Sequence, residues 1–377
     1  MRIVPASEVS PADWDAACDR SGAAWLFHRW SWIAMEARFH GHRDLSFALE
    51  DHTGLIGVHP LYVSDVGIGW MERLVHSGIH RHTGLALVDD LPRGSVRAAW
   101  SAAMRRVLEA AATEQADRIQ LNAQNLAPLL LTSVRDEIPP WVRDYGFDLG
   151  LNFAPAGILP VPGMSTCCAD QVVSLEPDEP ELFGHLDEGC RRAVRKAQKA
   201  GVEFEAAGVD EGVADYVRLA HLAATRTGET LPPTEYYESI VRELGPTRRC
   251  ALLFARHESK RVAGLLLLTD KSAASYLGGV SDPEYLPLRV NDFLHWSALL
   301  WAKGAGIRHY RLGPTFPEVP DTWPIARVSR FKTKFGARSM TTIQGSLFLR
   351  PEKYLAAGLQ YVAERCTLRQ ASTESED

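Results

Sequence analysis

Apolar runs of strand length and helix length follow one another along this chain in an order that occurs twice. That order limits the fold more than any single residue does. It consists of helices, a group of strands, a helix, a strand, a helix and a terminal hairpin. In the first half, 11–19 and 28–38 pattern as helices, and 45–50, 55–63 and 82–88 as strands. An alanine-rich helix is predicted across 93–115, opened near Pro92. A strand at 118–122, a helix near 139–146 and strand-like pieces to about 162 follow. In the second half Val172-Val173-Ser174-Leu175 reads as a strand, 180–200 as a helix and 202–206 as a strand. Helices are expected at 210–227 and 233–244, the second announced by Pro232-Pro233-Thr234-Glu235. Strands at 250–257, 262–269 and 273–280 lead to an apolar helix at 288–303 that stops at Gly304-Ala305-Gly306. A strand at 307–312, a basic-aromatic helix and strands near 339–349 complete the series. Strands interleaved with helices predict an α/β fold with a mixed sheet in each half. A length of 377 residues also exceeds what one small core organises. The expected divisions are 1–165, 166–350, and a short helix with a polar, disordered tail over 351–377. No close sequence repeat accompanies the duplication, so it is architectural.

The composition, 46% hydrophobic and 23% charged, is that of a soluble globular protein. A net charge of −6 argues against a general DNA or RNA binder but leaves room for a local basic patch. No apolar run reaches membrane-spanning length, and Met1-Arg2-Ile3-Val4-Pro5 lacks the apolar core of a signal peptide. No membrane span and a cytoplasmic location are therefore expected. The cysteines are scattered, as buried thiols are, and Cys167-Cys168 are adjacent rather than at metal spacing. His59, His76, His80 and His82 match no zinc pattern, so no metal is expected.

Chemistry concentrates in Arg330-Phe331-Lys332-Thr333-Lys334-Phe335-Gly336. On a helix Ile325, Val328, Phe331 and Phe335 form one apolar stripe, with Arg327, Arg330 and Lys334 opposite. Lys332 falls on the apolar side. An inward lysine must snorkel, find a partner, lose its proton or meet a ligand. The second basic segment lies within 180–200. There Leu182, Leu186, Cys190, Val194 and Ala197 share a face, and Arg191, Arg195 and Lys199 lie opposite, flanked by Arg192 and Lys196. Such a face suits either phosphate binding or plain solvation of an amphipathic helix.

Several strings in this order resemble the Fem family. They are Gly22-Ala23-Ala24-Trp25-Leu26-Phe27-His28 with Trp32, the basic run Leu186 to Gly201, the step from Gly304-Ala305-Gly306 to Gly313, and Phe331-Lys332 with Phe335-Gly336. The family comprises aminoacyl-tRNA-dependent peptidyltransferases built from tandem GNAT-like (acyl-CoA N-acyltransferase) domains. The likeness spans most of 20–350, without the coiled-coil hairpin of some members. It implies an α/β fold of two tandem GNAT-like domains. It also implies that an aminoacyl group moves from aminoacyl-tRNA to an acceptor amine on a peptidoglycan precursor or small natural product, with no cofactor. Lys332 then lies at the catalytic centre as an oxyanion-stabilising cation, with Phe331 walling the cleft. Arg191, Arg192, Arg195, Lys196 and Lys199 become a tRNA or phosphate surface. Arg226, Tyr237, Tyr276 and Arg289 become acceptor contacts, although at least one of Tyr236 and Tyr237 is expected to serve in packing.

A coenzyme-A enzyme of the same fold places a glycine-rich loop between its fourth strand and the next helix, where backbone N–H groups cradle pyrophosphate. Here that position reads Val280-Ser281-Asp282-Pro283-Glu284-Tyr285-Leu286-Pro287, with prolines that lack N–H groups and acids that repel phosphate. The first half offers Asp89-Asp90-Leu91-Pro92-Arg93-Gly94-Ser95. Both argue against acetyl-CoA as donor. An acyl-CoA or acyl-carrier enzyme remains the alternative.

Overall fold

The structure, a computed structural model, describes residues 1–67, 71–78, 83–132, 144–145, 147–149, 169–228, 230–316, 324–341 and 343–352. The first half contains strands β1 (Arg2–Pro5), β2 (Arg43–Asp44), β3 (Phe47–Asp51), β4 (Gly54–His59), β5 (Tyr62–Gly67), β6 (Met71–His76), β7 (Ala86–Leu87), β8 (Arg118–Asn122) and β9 (Asp148–Leu149). Its helices are α1 (Pro11–Asp19), α2 (Trp30–His40), α3 (Arg93–Thr113) and α4 (Pro128–Thr132). The second half contains β10 (Ala169–Ser174), β11 (Glu203–Ala207), β12 (Cys250–His257), β13 (Lys260–Asp270), β14 (Ala273–Ser281), β15 (His309–Thr315), β16 (Arg338–Thr341) and β17 (Gln344–Phe348). Its helices are α5 (Glu179–His185), α6 (Glu188–Lys199), α7 (Val209–Thr227), α8 (Thr234–Leu244), α9 (Val290–Gly304) and α10 (Pro324–Thr333).

The second half is built on a seven-stranded sheet in the order β11-β12-β13-β14-β15-β10-β16. Leu252, Phe254, Leu266 and Leu268 point to one face, toward α7 and α8. Leu253, Ala255, Leu265 and Leu267 point to the other, toward Cys190 and Val194 of α6 and Phe293 and Leu299 of α9. Cover on both faces explains why these strands are near-continuous apolar runs rather than alternating ones. The strands pair antiparallel except β14 with β15, which run parallel and only from Ala273–Ser275 to His309–Arg311. Past that point β14 follows β13, with an irregularity at Leu277, while β15 follows β10 to the Ala169–Thr315 pair. The sheet therefore opens between Tyr276 and Gly313. In the first half, Ala99, Ala103, Met104 and Val107 of α3 pack on Leu49, Val63, Val75 and Ile119.

Several sequence expectations are corrected. The run 55–63 is two strands, β4 and β5, because Pro60 at the corner has no N–H to donate to a ladder. The helix expected over 180–200 is α5 and α6. Leu186 is extended, and the Asp187 side chain then caps α6 by accepting from the Cys190 N–H. Strands near 339–349 do not both finish the second sheet: β16 pairs with β10, but β17 pairs with β8 and β9 of the first half. Strand β6 and helix α4 were not expected. Most of 139–162, and all but the first residues of 351–377, lie outside the described residues.

The two halves share polar contacts. Arg29 donates to both oxygens of Asp270 at 3.0 Å, and the Trp25 indole N–H donates to the Asp270 carbonyl at 2.9 Å. Asn125 donates to Asp170 at 3.0 Å. Cys18, Cys190 and Cys250 are buried free thiols, as expected; Cys167, Cys168 and Cys366 lie outside the described residues. Among the described residues no helix is long and apolar enough to cross a membrane, and no group of side chains is arranged for a metal ion.

Candidate active site

Helix α10 covers the end of β15. Its buried positions are Ala326, Ser329 and Lys332, while Val328 is 43% exposed. The apolar stripe drawn through Val328 is thus corrected. Small side chains at 326 and 329 let the helix approach the strand closely, and the Phe316 N–H donates to the Ser329 hydroxyl at 3.0 Å, fixing its rotation. Lys332 does point inward, with 9% exposure. Its ammonium donates to the Pro314 carbonyl at 2.9 Å. Gly313 has φ of +91°, and a Cβ there would lie 3.2 Å from the Lys332 Nζ. Glycine both permits that backbone conformation and leaves room for the ammonium.

Against Phe331, the residue before Lys332, stands His295 of α9, buried inside the protein. Its ring centroid is 4.9 Å from that of Tyr276 and 5.3 Å from those of Phe331 and Phe335. Burial, helped by the ammonium groups of Lys334 and Lys332, pushes its pKa down to about 3, so the imidazole is neutral. Its Nδ1 is buried and has no hydrogen-bond partner among the described residues. Lys334, expected on the solvent face with Arg327 and Arg330, instead pairs with the buried Asp292 of α9. Its ammonium lies 4.2 Å from the Phe331 ring centroid. The helical wheel misplaced it because α10 ends at Thr333, one residue earlier.

Of the residues singled out from sequence, Phe331 and Tyr276 meet at the His295 ring, and Lys332 follows Phe331 in α10 and turns its ammonium to the Pro314 carbonyl. Tyr237 lies on the sheet's other face, 5.5 Å from Tyr216 by ring centroids, and Tyr236 is buried in the core beside it. Arg226 is exposed near the end of α7, and Arg289 is exposed with φ of +65° at the start of α9. These residues stand outside the ring contacts at His295. On α6 the apolar face is as expected, with Cys190, Val194 and Ala197 buried. Its cations divide. Arg191 donates to the Gly184 carbonyl at 2.9 Å and to that of Leu186, closing off α5. Arg192 pairs with Glu188, and Arg195 stacks 5.2 Å from the Phe183 ring centroid. Lys196 and Lys199 are exposed. Sequence reasoning missed His295 and the Asp292–Lys334 pair. A histidine and an acid one helical turn apart in an otherwise apolar helix was the available signal.

At the loop where a coenzyme-A enzyme would hold pyrophosphate, Pro283–Leu288 forms a 3-10 turn. The Glu284 N–H donates to the Asp282 side chain, the Tyr285 N–H to the Asp282 carbonyl and the Arg289 N–H to the Leu286 carbonyl. These amides are spent within the turn.

The family model described as an acetyltransferase (GNAT) domain matches residues 186–321. No curated protein matches the chain by sequence. Among solved structures, FemX is similar over 95% of this chain and 100% of its own, at 15% identity and a TM-score of 0.69. L-PGS from Bacillus licheniformis is similar over 93% and 96%, at 11% identity and 0.54. The C-terminal domain (DUF2156) of a protein named as a lysylphosphatidylglycerol synthetase from Agrobacterium fabrum gives 92% and 96%, at 13% identity and 0.54. The chain therefore shares the overall fold of FemX, and its second half matches the GNAT domain model over residues 186–321.

Proposed function

We propose that this protein is an aminoacyltransferase that moves an aminoacyl group from aminoacyl-tRNA to an acceptor amine, forming an amide. The observation that carries the reading is the buried Lys332 ammonium, held by the Pro314 carbonyl where β14 and β15 part. An aminoacyl ester is already activated, so alignment of amine and carbonyl supplies much of the rate. The amine nitrogen attacks the carbonyl carbon, and the carbonyl electron pair moves onto oxygen. The tetrahedral adduct then collapses, expelling the ribose oxygen, which leaves with the proton the amine loses. Lys332 stabilises the oxyanion, and Phe331 and Tyr276 wall the reacting chain. The vicinal ribose hydroxyl relays the proton; undiminished turnover with tRNA ending in 2′-deoxyadenosine would exclude that relay.

The exposed Lys196 and Lys199, with Arg195, supply the contact to the tRNA phosphates, and the reaction takes place in the cytoplasm without a cofactor. Acceptors of the right chemistry are amines on peptidoglycan precursors or small natural products. The family description of residues 186–321 favours one rival, acyl-CoA as donor. The folded turn at 283–288 speaks against it. Purified protein offered aminoacyl-tRNA or acyl-CoA separates the two, since RNase abolishes only the first activity. Lys332→Met is expected to lower turnover by about 10²–10³ with the fold intact. Unchanged turnover would remove Lys332 from the centre.

A further inference from the structure

The Asp292–Lys334 pair has a cost that its surroundings explain. Both side chains are largely buried, and an ion pair in such a place is no more stabilising than well-packed apolar residues of similar volume. What the pair does is fix a ring. The Lys334 ammonium sits on the face of Phe331, whose edges meet His295 and Phe335, each at 5.3 Å between centroids. Lys334 is itself anchored from the other side, where its carbonyl accepts from the Asp187 N–H at 2.9 Å. Two residues later the chain turns at Gly336, φ +71°, so close to His185 that a Cβ would lie 2.7 Å from the His185 Cβ. Lys334 is therefore held at backbone and side chain, and Phe331 beneath it is clamped immediately before Lys332.

Accepting the reading of Lys332 as the oxyanion-stabilising cation, we propose that Asp292 and Lys334 are positioning residues. They clamp the Phe331 ring, and through it set the direction of Lys332, without touching the acyl group themselves.

The test uses the full chain and charged tRNA. Lys334→Met and Asp292→Asn are expected to leave the KM for charged tRNA unchanged and to lower kcat by about ten- to a hundredfold, the scale of a small misplacement of reacting groups. Lys334→Arg, which keeps the cation over the ring, should recover most of the rate. Should either single variant misfold, the double variant Asp292→Leu with Lys334→Met replaces the pair by apolar packing and must show the same kcat loss while folded. A second readout needs no activity. With 4-fluorophenylalanine at 331, the 19F resonance of the otherwise unaltered protein should be single and sharp, and that of the folded double variant broadened or split. A folded double variant with the kcat of the unaltered protein, or with the same sharp resonance, would overturn the clamp. Inactivity of the unaltered protein with every charged tRNA would defeat the aminoacyl-transfer reading instead, and the fluorine comparison would still decide the clamp.

Discussion

Gly313→Ala separates backbone strain from catalytic geometry. At φ of +91° an alanine is strained by about 1–3 kcal/mol wherever it stands. At this position its Cβ also meets the Lys332 Nζ at 3.2 Å, so the ammonium must give way by a few tenths of an ångström and its bond to Pro314 must lengthen or bend. Gly306 provides the control, since its φ of +81° is similar and nothing lies within 4 Å of a Cβ there. Both variants should lose comparable stability, a few degrees of melting temperature in a chain of this size. Only Gly313→Ala should lose turnover, by about tenfold or more, because oxyanion stabilisation depends on donor position. Thermal denaturation followed by circular dichroism gives the first quantity, and single-turnover transfer from charged tRNA gives the second. If the two variants retain equal turnover while melting alike, the placement of Lys332 does not govern the chemistry and the active-site reading is refuted.

Reversing Lys196 and Lys199 to Glu should weaken tRNA binding and flatten the plot of log K against log salt by about two charges' worth, read by filter binding across a salt series. An unchanged slope returns α6 to ordinary surface. Arg29→Ala leaves the Asp270 carboxylate buried without its main partner, and about 3–5 kcal/mol of stability should be lost in urea unfolding. A loss below about 1 kcal/mol would mean that this contact does not join the halves. Burial holds His28 and His295 neutral, with pKa values of about 3, while in the unfolded chain they take up protons below about 6.5. The unfolded state therefore binds more protons throughout that window, and stability should fall as pH drops from about 6.5 toward 3. His295→Phe should flatten that decline in urea titrations at several pH values, and an unaltered pH slope would contradict a neutral buried imidazole.

The second sheet was legible because its strands are buried on both faces and so appear as plain apolar runs, and because Pro233 and Gly304-Ala305-Gly306 mark where helices start and stop. The inward direction of Lys332 was legible from helical periodicity. Periodicity failed where the helix itself ended: Lys334 lies past the last turn of α10, and its place is set by Asp292 and Asp187, distant in sequence. The break at Leu186 was hidden because an apolar face continues across α5 and α6, although an acid three residues before Cys190 is a cap signal. No local pattern announces that β17 leaves its neighbour β16 for the other sheet, since both strands have the same period and only the partner differs.

That crossing bears on what the second half can do alone. Strand β15, which carries Gly313 and Pro314, lies beside β10, and β10 lies beside β16, from which the chain passes directly to β17 in the first half's sheet. Asp170 of β10 is held at once by Arg311 of β15 and by Asn125 of the first half. On the face opposite His295, the apolar cover of Leu266, Leu268 and Leu244 includes Trp25, Leu26, Phe27 and Trp32 from the chain's beginning. Stripping that cover would expose a contiguous patch of large side chains and free the strands that border the opening in the sheet. The side chains proposed for the chemistry lie in the second half, but the packing that holds Lys332 and its strand draws on both halves together.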